Sequence, residues 1–138
     1  MAFVLNISEV VELATPRNRK LLKQILENMA DFVVNGLPLE NGLLRSYQEY
    51  APQLDFGMPA SKKAIGEALG ELWEYCDDCG IPWLNMLVVR KDTQFPGTGI
   101  FKWYEGTFNT LTGFEKFCEY HVLLAEHMLT TGCILILK

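Results

Sequence analysis

Two short motifs hold the residue types best suited to chemistry. Cys76 and Cys79 form a Cys-x-x-Cys, and Cys118 with His121 forms a Cys-x-x-His. Thiolate and imidazole are preferred zinc ligands, and four of them complete a tetrahedral structural site. Such a centre requires Cys118 and His121, one helical turn apart, to face the Cys-x-x-Cys. The alternative is a set of reduced cysteines packed at helix ends, because cysteine is commonly buried even where it does no chemistry. Cys133 completes neither motif and reads as a core residue. His121 and His127 have no serine, cysteine or carboxylate arrangement that points to a hydrolase. The sequence contains no phosphate-binding loop, dinucleotide fingerprint or His-Glu-x-x-His, so neither an enzyme nor a cofactor is expected.

A second set of residues suits binding. Lys62 and Lys63 follow Ser61 at the start of a helical pattern, where a DNA-reading helix places its contacts. A solvated pair opposite Glu67 and Glu71 is the alternative. Arg90 and Lys91 sit in a polar turn and could touch phosphates, or could be ordinary exposed turn charges. Arg17, Arg19, Lys20 and Lys23 are the densest basic cluster, at a helix end that the dipole makes unfavourable for cations. They read either as a solvated face or as a contact for phosphate or an acidic partner. Tyr47 and Trp83 could contact phosphate or stack on a base, or could be packing aromatics. Gly97-Thr98-Gly99 could offer backbone N–H groups to a phosphate, although a hairpin's need for glycine also explains it.

These residues need a scaffold, and the hydrophobic pattern supplies one. Residues 3–14 read as a short strand or turn entering a helix capped by Ser8. Thr15-Pro16 opens a helix with apolar steps at Leu21, Leu22, Ile25, Leu26, Met29, Phe32 and Val33, running to about Asn35. Residues 37–43 are loop, and Leu44 to Ala51 a short helix stopped before Pro52. After the turn Phe56-Gly57-Met58-Pro59, Ser61 caps a helix whose apolar positions run from Ala64 to Cys76 and which ends at Gly80. Leu84 to Val89 is a nearly continuous apolar run, read as a buried strand. Arg90 to Thr93 turns, and residues 95–101 return through a glycine-rich loop as the second arm of a wing. A loop over 103–112, a helix from about Gly113 to Leu129 and an apolar strand at 133–137 complete the chain.

Composition narrows the class. The 138 residues are 49% hydrophobic and 21% charged, as expected of one globular domain. No apolar run approaches the roughly 18 residues of a membrane span, and the first twenty residues lack the features of a secretory signal. A cytoplasmic protein, in a bacterial cell or an infected host, is therefore expected. The net charge of −5 works against nucleic acid, which favours a basic face. It suits a basic protein partner equally well.

With the elements in place, the central stretch resembles the winged-helix C-terminal domain of alkylguanine-DNA alkyltransferases and alkyltransferase-like proteins. The corresponding pieces are Ser46-Tyr47-Gln48, Gly57-Met58-Pro59, Lys62-Lys63-Ala64-Ile65-Gly66-Glu67-Ala68-Leu69 and Ile81-Pro82-Trp83-Leu84-Asn85-Met86-Leu87-Val88-Val89. It is similar as well to uncharacterised bacterial and phage proteins with a Leu-Val-Val-x-Lys strand before a Pro-Gly-x-Gly loop. The resemblance implies an α+β fold with a winged helix-turn-helix core at 44–102. Residues 1–43 are then an N-terminal helical extension and 103–138 a C-terminal helix plus strand, all within one domain. It implies DNA contacts at Tyr47 and Lys63, in place of the family's nucleotide-rotating Tyr and space-filling Arg. Where the family's nucleophilic cysteine, histidine and arginine stand, this chain has Trp83, Leu84 and Asn85, so alkyl transfer is not expected.

Two binding functions follow as expectations. One is non-catalytic DNA recognition through Tyr47, Ser61, Lys62, Lys63, Trp83, Arg90 and Lys91. The other is a protein-interaction module, such as a phage-encoded inhibitor of a basic host nucleic-acid defence enzyme. Within 44–102 six basic residues stand against eight acidic ones, a slightly acidic balance that works against a DNA reader. Either kind could be zinc-stabilised through Cys76, Cys79, Cys118 and His121.

Overall fold

The two ends of the chain pair with each other. Strand β1 (Phe3–Asn6) lies parallel to β4 (Ile134–Leu137), with Phe3 opposite Ile134 and Asn6 opposite Leu137. Leu5 and Ile134 point into the core, while Val4, Leu135 and Leu137 are exposed on the alternate face. The computed structural model describes residues 2–35, 45–55, 57–91 and 111–138. The expected loop at 37–43, all of that at 103–112 but its last two residues, which are helical, the turn residues Phe56, Asp92 and Thr93, and the wing's return run at 95–101 lie outside these. Over the described residues the protein is a mixed helix-and-strand α+β structure. No described helix is long and apolar enough to cross a membrane.

From β1 the chain enters α1 (Ile7–Leu13) without a loop. Its N-cap is Asn6, not the expected Ser8: Asn6 is the last extended residue, and its side chain accepts from the Glu9 N–H at 3.4 Å. Pro16–Asn18 then form a 3₁₀ turn before α2 (Arg19–Val34). Leu22, Ile25, Leu26 and Met29 of α2 are fully buried. Burying side chains of this size contributes roughly 1.5–3 kcal/mol each before the cost of ordering them.

Helix α2 also holds the segment that follows. β2 (Arg45–Ser46) leads into a single helical turn, α3 (Tyr47–Tyr50), so the expected helix at 44–51 is shorter and begins with a strand. Ser46 caps it reciprocally with Glu49, which sits at the third helical position. Asn28 Nδ2 donates to the Tyr50 carbonyl at 2.7 Å, and the Phe32 and Tyr50 rings meet edge to face at 5.3 Å. The buried Arg45 guanidinium stands 5.1 Å over Phe32 and 3.4 Å from a Glu49 oxygen. Burial pushes the Tyr50 hydroxyl well above its ordinary pKa.

Helix α4 (Pro59–Cys79) is the central element, with Ile65, Ala68, Leu69, Leu72 and Cys76 buried along one face. Its end is built by backbone geometry. Gly80 takes φ 69°, its N–H donates to the Asp77 carbonyl, and the Ile81 N–H donates to Cys76. This pair of bonds closes the last turn and requires a left-handed residue.

The run expected as one strand, Leu84 to Val89, is divided. Leu84–Leu87 form a 3₁₀ turn, and only Val88–Val89 (β3) are extended. Every residue of the run is buried, so its apolar continuity could not distinguish a strand from a tight helix. β3 pairs in parallel with β2, Arg45 opposite Val88 and Ser46 opposite Val89. Helix α5 (Leu111–Thr130) packs Ala125 and Leu129 into the main core, and Gly132 at φ 79° turns the chain back toward β4.

Candidate functional site

Lys62 and Lys63, the fourth and fifth residues of α4, are exposed to solvent. Ser61 does not cap this helix. Pro59, with its fixed φ and missing N–H, takes the first helical position and moves the start three residues ahead of the expected one. Met58 therefore holds the N-cap position and supplies no side-chain acceptor, and the first turn contains no acidic residue. Ser61 becomes a half-buried first-turn residue whose N–H donates to the Met58 carbonyl at 3.1 Å.

The charges of α4 run against its dipole at both ends. Lysines stand at the positive N-terminus, and Asp77 and Asp78 at the negative C-terminus. Each such placement costs about 0.3–1 kcal/mol where exposed.

Glu67 and Glu71, the residues that could have neutralised the lysines, are engaged by the 3₁₀ turn. Arg17 Nε donates to Glu67 Oε2 at 2.9 Å. The Thr15 N–H donates to Glu71 Oε1 at 2.9 Å, and Asn18 Nδ2 to Oε2 at 3.2 Å. The Arg17 hydrogen bond holds the Glu67 carboxyl below its usual pKa. At Glu71 burial works in the opposite direction, and the bonds from Thr15 and Asn18 outweigh it, so this carboxyl also falls.

The N-terminal basic cluster is thereby dispersed. Arg17 faces Glu67. Arg19 donates to the carbonyls of Ala14 and Glu12, satisfying the end of α1, and Lys23 lies 3.8 Å from Glu27.

Tyr47 and Arg90 form a second group. They follow the paired residues Ser46 and Val89, so they leave the β2–β3 pair side by side. Tyr47 is half-buried against the main core, while Arg90 and Lys91 are exposed.

Trp83 belongs to an aromatic cluster between α4 and α5. His121 stacks on it at 4.7 Å with planes 8° apart, Trp73 meets it edge-on at 5.7 Å, and Phe117 is tilted at 5.0 Å. Its Nε1 donates to Asp77 Oδ1 at 3.3 Å. His121 thus occupies one face of the indole, and Trp83 acts as packing that joins the two helices.

The four residues that could have formed a zinc site are separated. Cys76 lies in the main core, Cys118 joins Met86 in a smaller cluster, Cys79 is exposed, and His121 is committed to Trp83. Burial pushes the thiols of Cys76 and Cys118 up to about 12. Among the described residues no three His, Cys, Asp or Glu side chains are placed to hold a metal ion. Cys133, expected in the core, is exposed, with its Sγ 3.4 Å from Thr131 Oγ1.

One polar residue escaped the sequence reading. Asn85 is 0% exposed, and neither atom of its amide has a hydrogen-bond partner among the described residues. An asparagine inside an otherwise apolar run was the available signal.

No protein-family model matches the chain, and neither a curated protein nor a solved structure matches it.

Proposed function

We propose that the chain is a non-catalytic winged-helix protein that binds duplex DNA through the start of α4, with further contacts from Tyr47, Arg90 and Lys91. The observation that carries this reading is the exposed Lys62-Lys63 pair at a helix start that has neither a side-chain cap nor an acid. The positive dipole end and two cations together favour an anion such as a backbone phosphate. The order α3, turn, α4, β3 also agrees with a helix-turn-helix leading into a wing. In this reading Trp83 contributes stability and not base stacking. The test is fluorescence anisotropy with a labelled duplex across a salt series. Binding should weaken steeply with salt and be lost on Lys62→Glu with Lys63→Glu; absence of binding at low salt overturns the proposal.

A second reading rests on the opposite end of the same helix. Glu74, Asp77 and Asp78 are exposed there, in a chain of net charge −5. In this reading the protein is an interaction module for a basic partner such as a nucleic-acid enzyme. Affinity capture from lysate with wild-type protein and with the Glu74→Lys, Asp77→Lys, Asp78→Lys variant tests it. A stoichiometric nuclease or other nucleic-acid enzyme retained by the first and lost by the second supports it; identical captures refute it.

A further inference from the structure

The basic surface at the start of α4 has a neighbour from a distant part of the chain. Arg17, in the 3₁₀ turn before α2, reaches Glu67 with Nε at 2.9 Å and keeps its side chain 71% exposed. Lys63 lies one helical turn before Glu67 on α4, and its charge acts on the same carboxylate. Two cations from segments almost fifty residues apart therefore flank one acid. Only Nε of the Arg17 guanidinium is used in this contact. A planar guanidinium held by Nε can still present its terminal nitrogens to a phosphate as a fork. The backbone beneath is held as well, because Thr15 and Asn18 on either side of Arg17 are tied to Glu71 at 2.9 and 3.2 Å.

We infer that Arg17 is part of the same phosphate-contacting face as Lys62 and Lys63, with Glu67 as the positioning residue that aims it. The inference rests on the DNA-binding reading above. It extends the contact surface beyond the 44–102 core and makes the N-terminal segment part of the binding device. It also gives Glu67 a role that its charge alone would not predict. An acid beside a phosphate site should weaken binding by repulsion, whereas an acid that orients an arginine should strengthen it.

That opposition of sign is the test. The full chain is titrated with a labelled duplex at several potassium chloride concentrations, and each variant's thermal midpoint is checked against wild type. Arg17→Ala should weaken binding and reduce the slope of log affinity against log salt by about one, the value of a single phosphate contact. Glu67→Gln should weaken binding in the wild-type background, yet tighten it in the Arg17→Ala background, where only repulsion is removed. The inference is overturned if Arg17→Ala leaves the slope unchanged while Lys62→Glu with Lys63→Glu abolishes binding; the DNA reading then stands without it. It is overturned as well if Glu67→Gln tightens binding in both backgrounds. A wild-type chain that binds no duplex removes the DNA reading itself.

Discussion

Trp83 and His121 lie face to face, 4.7 Å between ring centroids and 8° from parallel, and this stack joins the segment after α4 to helix α5. Burial lowers the His121 pKa from its ordinary 6.5, and its Nδ1 has no hydrogen-bond partner among the described residues. The folded protein thus resists a proton that the unfolded chain accepts. The unfolded state binds more protons below about pH 6.5, so this group's contribution declines as pH falls through that value and down to the lowered folded pKa. Thermal midpoints at pH 7.5 and 5.5 should drop more for wild type than for His121→Phe, which keeps the ring and loses the titration. Equal drops would show that His121 charges in place without penalty.

Glu71 fastens the N-terminal 3₁₀ turn to α4 through Thr15 and Asn18. Glu71→Ala removes an acceptor from two donors, one of them on the buried Asn18, and should cost about 1–2 kcal/mol given the partial exposure of the site. Because the carboxyl's folded pKa lies below 4.5, its contribution is complete above that value and is lost as pH falls through the folded pKa. Urea denaturation of wild type and Glu71→Ala at pH 7 and pH 3 checks both statements. The difference between the two proteins should shrink markedly at the lower pH.

How much of this was legible follows from what each signal measures. The 3.6-residue apolar period located α2, α4 and α5 closely, and Gly80 marked the end of α4, because both reflect local chemistry that tertiary packing did not override. Start positions were less secure. Ser61 offered an acceptor, but Pro59 had the stronger preference for the first helical position. Leu84 to Leu87 misled for a different reason: when all sides of a segment are buried, no face remains to reveal the period. The candidate site was legible as residue types but not as a surface. Nothing in the order of residues shows that Arg17 meets Glu67, or that Cys76 and Cys118 enter separate clusters.

Asn85 is the clearest place where stability was not maximised. Its amide is fully buried, with both polar atoms unpaired among the described residues. Leaving such a group unsatisfied costs about 1–3 kcal/mol. Asn85→Leu, similar in size and apolar like its neighbours Leu84 and Met86, should raise stability by an amount on the order of 1 kcal/mol, because some strain in repacking offsets the gain. Chemical denaturation measures this directly. A loss of stability would mean that the amide is satisfied in solution, for example by an internal water.

Two glycines of the same region should respond with opposite signs to the same substitution. Gly66 lies exposed inside α4, and a Cβ added there meets nothing within 4 Å. Gly66→Ala therefore gains helix propensity without a clash, and should stabilise by about 0.5–1 kcal/mol. Gly80 also has open space around its missing Cβ, but its φ of 69° is the left-handed conformation that closes α4. Gly80→Ala should destabilise by about 1 kcal/mol through backbone strain alone. Since both sites have room for the methyl group, the difference isolates conformation from packing. Melting temperatures of the two variants and the double mutant check this, and the distant effects should add. If both variants shift stability in the same direction, Gly80 does not hold the left-handed conformation in solution.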